Sequence, residues 1–180
     1  MAAIQQEADI VASVIESKKT KDGVDLATLS LLSPVLVVFL RHAGCMFCRE
    51  TVEEIARLRP SLEEAGIRIA LVHHGRSNTM ERLLRDKGLA GLDRIYDGDR
   101  SLYRAFGLRR GKPSQVFGFS IWPKALSALR KYGAGVPAGD PFQMPGVFLL
   151  HRCEILHCFR HRKISDKPDY IDITSRFIAD

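Results

Sequence analysis

Val35-Leu-Val-Val-Phe-Leu40 runs directly into Arg41-His-Ala-Gly-Cys45-Met-Phe-Cys48. The first six residues form an unbroken apolar run rich in β-branched side chains, which suits a strand covered on both faces. Beyond Cys48, Val52, Ile55, Ala56, Leu58 and Leu62 recur at helical intervals, with Pro60 expected to kink or end that helix. A buried strand therefore hands over directly to a helix, and two cysteines stand at the junction.

Toward the N-terminus, Ala3 to Ser17 places Ile4, Ala8, Val11, Val14 and Ile15 at helical spacing, and Val24 to Leu32 reads as a strand and a turn. Ile67 to Val72 predicts a second strand and Arg94 to Tyr96 a third, separated by a helix that Ser77 would cap. Ser101 to Phe106 predicts a further helix. Residues 109–143 then lose regular periodicity and read as an insertion of glycines, prolines, cations and aromatics. Pro145 to Leu150 and Glu154 to Phe159 form an antiparallel hairpin pattern, and Asp166 to Ile178 a last helix. Alternating β and α units imply an α/β fold: a central mixed sheet with flanking helices, an N-terminal extension, and an insertion before the strand starting at Pro145. At 180 residues, with 46% hydrophobic and 27% charged, residues 1–180 are expected to form a single domain.

The longest apolar runs are too short to span a bilayer, and Met1 to Lys21 lacks the pattern of a secretory leader, so neither export nor a membrane span is expected. Four cysteines in a chain with no need of staples fit a reducing, cytoplasmic compartment. The net charge of +6 lies wholly in the second half: residues 1–90 carry 12 cations and 12 anions, residues 91–180 carry 15 and 9. No acidic residue occurs between Asp99 and Asp140. That surplus favours an anionic ligand or surface, although no nucleic-acid module is present.

Cysteines at i and i+3 on one helical face lie close enough to open and close a disulfide. The helix N-terminus adds positive potential that stabilises a thiolate, and thiolate is the reactive form. Cys45, the outer thiol, is the expected nucleophile, open to an outside molecule; Cys48, one turn inward, resolves the adduct. Arg41, His42 and Arg49 would strengthen the effect and Glu50 oppose it. Two buried packing thiols, or half a zinc site, are the alternatives. Zinc wants four ligands, and Cys153 and Cys158, read as lying on one strand, would point to opposite faces, so no metal is expected. Pro145 is expected to face the dithiol, with a cis bond or as an ordinary trans turn proline, and with the cis bond Met144 would present open backbone to a bound peptide.

Phe39 to Glu50, Leu102 to Leu108, Gly139 to Leu149, and Arg160-His-Arg with Asp166-Lys-Pro-Asp169 together resemble the AhpC/TSA-like, peroxiredoxin-like and SelL-related branch of the thioredoxin superfamily. The resemblance implies a thioredoxin-like fold and a thiol-disulfide or antioxidant activity on disulfides or organic peroxides. It also implies no bound metal or organic cofactor; a thioredoxin or glutathione system is the expected electron donor. True peroxiredoxins resemble one another at Pro-x-x-x-Thr-x-x-Cys. Aligning Cys48 with their last cysteine puts Cys45 at the Thr position and Arg41 at the Pro position, while Pro145 falls near a strand-start arginine they use to hold peroxide. The departure favours disulfide exchange unless Arg41 supplies the missing donor. A second reading is a redox-sensing binding module whose basic, aromatic insertion engages a partner.

Overall fold

The computed structural model describes residues 2–136 and 139–178. Strand β1 (Val35–Phe39) is central, as its composition requires: all five residues are buried. It runs parallel to β2 (Arg68–His73), which is parallel to β3 (Asp93–Tyr96). On its other side it runs antiparallel to β4 (Gly146–His151), which pairs with β5 (Glu154–Arg160), giving the order β3-β2-β1-β4-β5. The sheet is mixed, with helices on both faces.

Alternation along β1 divides the core. Leu36 and Val38 face the helix α3 (Met46–Glu64), through Val52, Ile55 and Leu62, and the helices over Ser77–Asp86 and Tyr170–Ile178. Val35, Val37 and Phe39 face Ile15, Leu26, Leu29, Leu102, Tyr103 and Phe106. Phe39 sits within 5.0 Å, centroid to centroid, of both Tyr103 and Phe106, and 5.5 Å from Phe148. Such ring pairs each add about 0.5–1.5 kcal/mol beyond burial. They rivet the end of β1 where the cysteines begin.

The first two helices are α1 (Ala2–Ser17) and α2 (Leu26–Leu32). The expected strand and turn over 24–32 is thus a helix instead. The Asp25 carboxylate accepts from the Thr28 amide at 2.8 Å, a cap that overrides weak local propensity. Val11, Val14 and Ile15 of α1 pack inward as predicted, while the side chains of Ile4 and Ala8 lie outside the described residues. Pro60 neither ends nor interrupts α3; it occupies an exposed position within it. After α4 (Ser77–Asp86) and α5 (Ser101–Ala105), the insertion is helical rather than irregular. It holds α6 (Pro113–Phe117), a 3₁₀ turn over Phe119–Ile121 and α7 (Trp122–Tyr132); α8 (Tyr170–Ile178) is the last element among the described residues. Val116, Ile121, Met144 and Ile164 give the insertion a small core of its own, against which Phe47 of α3 packs. No helix among the described residues is long and apolar enough to cross a membrane.

Three histidines carry a pH consequence. Burial pushes His73, His74 and His161 down from 6.5 to about 4. The folded state therefore rejects a proton that the unfolded chain accepts. Stability from these groups is complete above about pH 6.5 and is lost as pH falls toward about 4, at up to about 1.4 kcal/mol per pH unit for each histidine. Urea unfolding across that window should show a falling midpoint, with a smaller slope for His73→Gln. A flat profile would contradict the burial argument.

Candidate active site

Cys45 is the N-cap of α3, extended at φ −78° and ψ 123°, and Cys48 occupies the first turn. The turn before it is closed by the Cys45 amide donating to His42 O at 3.0 Å. Both cysteines are free thiols. The Arg41 guanidinium, itself buried, donates from Nη2 to Cys45 Sγ at 2.8 Å, and the Arg41 amide donates to Cys48 Sγ at 3.3 Å. From Nη1 the same guanidinium donates to the carbonyl of Pro141.

These contacts split the two thiols. The hydrogen bond from Cys48, then the charge and hydrogen bond of Arg41, hold the Cys45 thiol well below its ordinary value against the opposing effect of burial. Cys48 is pushed well above its ordinary value by its bond to Cys45 and by burial. One sulfur is set up as a thiolate and its neighbour as the donor that steadies it. The thiolate also answers the cost of burying Arg41, since no carboxylate pairs with that guanidinium among the described residues.

Residues 54–163 match the profile of the AhpC/TSA antioxidant enzymes. The chain belongs to this family. The match begins just beyond the dithiol, so the cysteines are an independent observation. Peroxiredoxin-like 2C of Bos taurus is 27% identical over 164 residues, covering 78% of this chain and 71% of the relative. A prostamide/prostaglandin F synthase of Danio rerio is 26% identical over 169 residues, 91% and 83% of the two chains. Peroxiredoxin Q of Xanthomonas campestris superimposes with a TM-score of 0.60 at 18% identity, over 90% of this chain and 87% of the other. The fold is thus thioredoxin-like, and this AhpC/TSA protein is a thiol-dependent oxidoreductase.

Around this AhpC/TSA dithiol, only Arg41 of the four charged or titratable neighbours acts as expected. Burial pushes His42 down, leaving it neutral. Arg49 is a fastener, donating to Ala43 O at 2.9 Å and Tyr132 O at 3.2 Å. Glu50 is compensated by Lys167 at 2.5 Å. Cys153 lies in the β4–β5 turn, not on a strand, with φ 64°, its amide bonded to Ser30 Oγ at 3.0 Å; Cys158 is exposed on β5. Among the described residues no group of His, Cys, Asp and Glu suits a metal ion.

Two expectations are corrected. No cis peptide occurs among the described residues, so Pro145, expected as cis or trans, is trans; it immediately precedes β4, its carbonyl accepting from the His161 amide at 3.4 Å. It still lines a small recess with Phe47, Cys48 and His161. The open backbone expected at Met144 is filled: its amide donates to Arg109 O at 3.3 Å, and its side chain is buried with Val116 and Ile121.

The dithiol is not open either. Cys45 is 6% and Cys48 3% exposed. At Gly135–Val136 and again at Pro141, the returning arm of the insertion packs on the residues that flank the dithiol, an approach that sequence reading missed. Gly135 donates to Gly44 O at 3.1 Å, and a Cβ on Gly44 would collide with the Val136 carbonyl. Glycine at 44 is the one local sign of that close approach. Asp140 anchors the arm, accepting from Arg100 at 2.6 Å and Arg110 at 2.8 Å. Gly44→Ala should therefore push the arm away and speed alkylation of Cys45 by roughly tenfold. Unchanged alkylation would show that the arm does not limit access.

Proposed function

We propose that this protein reduces hydroperoxides, organic ones included, with Cys45 as nucleophile, Cys48 as resolving thiol and Arg41 as the donor that holds both thiolate and peroxide. The observation that carries the reading is the Arg41 guanidinium at 2.8 Å from Cys45 Sγ. Its Nη1, now bonded to Pro141 O, offers a second N–H. When the arm withdraws, that N–H is free for a peroxide oxygen, so one guanidinium steadies both the attacking sulfur and the oxygen that develops charge.

The Cys45 thiolate attacks the distal peroxide oxygen and breaks the O–O bond. Sulfenic acid forms, and the departing alkoxide takes a proton to become alcohol. Oxidation removes the negative charge that held Cys48 high, leaving Arg41 to favour the Cys48 thiolate. Cys48 then attacks the Cys45 sulfur, closing the disulfide and releasing water after protonation. A thioredoxin-type dithiol or two glutathione thiols return two electrons, in a cytoplasmic setting that keeps such donors reduced.

A small substrate fits better than a protein disulfide. The thiols lie under a cover, Met144 offers no open amide, and Pro145 serves as an apolar wall beside Cys48 rather than a peptide edge. Mixing the reduced protein with one equivalent of an alkyl hydroperoxide should consume two thiols and yield one alcohol, faster than an oxidised protein substrate is reduced. Rapid reduction of the protein disulfide with sluggish peroxide reaction would overturn the choice of substrate.

A further inference from the structure

We propose that the outer face of the insertion docks on an anionic lipid bilayer. Phe117, Phe119 and Trp122 are 61%, 90% and 65% exposed, and Leu126 and Leu129 about half so. The Phe119 and Trp122 rings lie 6.2 Å apart, and the Trp122 indole donates to Phe117 O at 3.3 Å, so the aromatics form one patch. Positions 122, 126 and 129 share a helical face, while Ala128, about a third of a turn round α7 from it, is buried. The helix thus has one apolar side spent on the protein and a second left to water. Contiguous large apolar groups of this kind mark an interaction surface rather than a solvated loop.

Charge selects the occupant. Arg130 adjoins the apolar face of α7 and Lys112 precedes α6, both exposed and neither paired with a carboxylate among the described residues, while Lys124 and Lys131 lie on the far side of α7. Residues 100–139 contain no acidic side chain. Aromatic and leucine side chains beside unpaired cations are the composition of a helix lying in a negatively charged membrane interface. Phe119 projects outward, a shape suited to a fluid that closes around it rather than to a preformed cleft. A symmetric contact between two copies would bring like cations together. The face is independent of the redox chemistry, although the arm that leaves α7 covers the dithiol, so docking brings that cover close to the bilayer.

Trp122 is the sole tryptophan, and its emission therefore reports this face alone. The full reduced chain is mixed with phosphatidylcholine vesicles or with vesicles containing phosphatidylserine. A shift of emission to shorter wavelength and co-sedimentation with the anionic vesicles alone, weakened by salt, are expected. Phe119→Asp should cut the bound fraction by roughly tenfold or more while leaving helix content and peroxide turnover unchanged. Absence of a shift and of sedimentation with anionic vesicles would overturn the proposal. So would binding that Phe119→Asp leaves intact, an equal shift with polyglutamate, or a lipid-free shift that tracks dimer mass.

Discussion

Cys45→Ser should abolish hydroperoxide turnover and lower stability by about 3 kcal/mol, the cost of leaving a buried charge without its partner. The second effect separates this account from a simple loss of nucleophile. A serine hydroxyl is neutral, so the Arg41 guanidinium would keep the Pro141 carbonyl but lose its anion. Adding Arg41→Met to Cys45→Ser should recover part of that stability, because the orphaned charge is then removed as well. Cys48→Ser should behave differently. Its hydroxyl can still donate to Cys45, so the first peroxide should form one stable sulfenic acid and turnover should then stop. Urea unfolding and trapping of sulfenic acid check these outcomes. A fully active Cys45→Ser would end the account.

Arg41→Met, alone, should slow reaction with peroxide near neutral pH by about a hundredfold, combining a lost thiolate with a lost donor. Burial opposes ionisation of Cys45, and without the guanidinium that opposition gains. Methionine fills much of the same volume without a charge, so the protein should stay folded. Stopped-flow oxidation across pH distinguishes the two losses. Raising pH should recover the ionisation part of the deficit and leave the donor part. An Arg41→Met variant that reacts as fast as the parent would assign both roles elsewhere.

The parts of this architecture that alternate or recur were legible in the sequence. The β1–α3 junction, the second and third strands and the hairpin follow from apolar runs, helical spacing and the short Arg152-Cys153 turn. What the chain order concealed depends on contacts across long separations. The α2 helix rests on a cap at Asp25 and on burial of Leu26 and Leu29, neither of which shows as an extended periodic stripe. The helices of the insertion are short and use Ala128 and Val116 as their inner faces, a pattern too brief to stand out. At the site, the cysteines and Arg41 were readable because a helix start and a reactive thiol have local signatures. The cover was not, since Gly135 and Val136 reach Gly44 across some ninety residues. The trans bond at Pro145 and the filled amide of Met144 likewise reflect how the insertion returns, which spacing alone does not encode.

The most direct measurement is the pH titration of Cys45 by thiolate ultraviolet absorbance, in Cys48→Ser and in Cys48→Ser with Arg41→Met. With Arg41 present, Cys45 should ionise well below the ordinary thiol range; with methionine its midpoint should move back to that range, about 8.5 or higher. A Cys45 that stays protonated through neutral pH, or one whose midpoint ignores the loss of Arg41, would contradict the account.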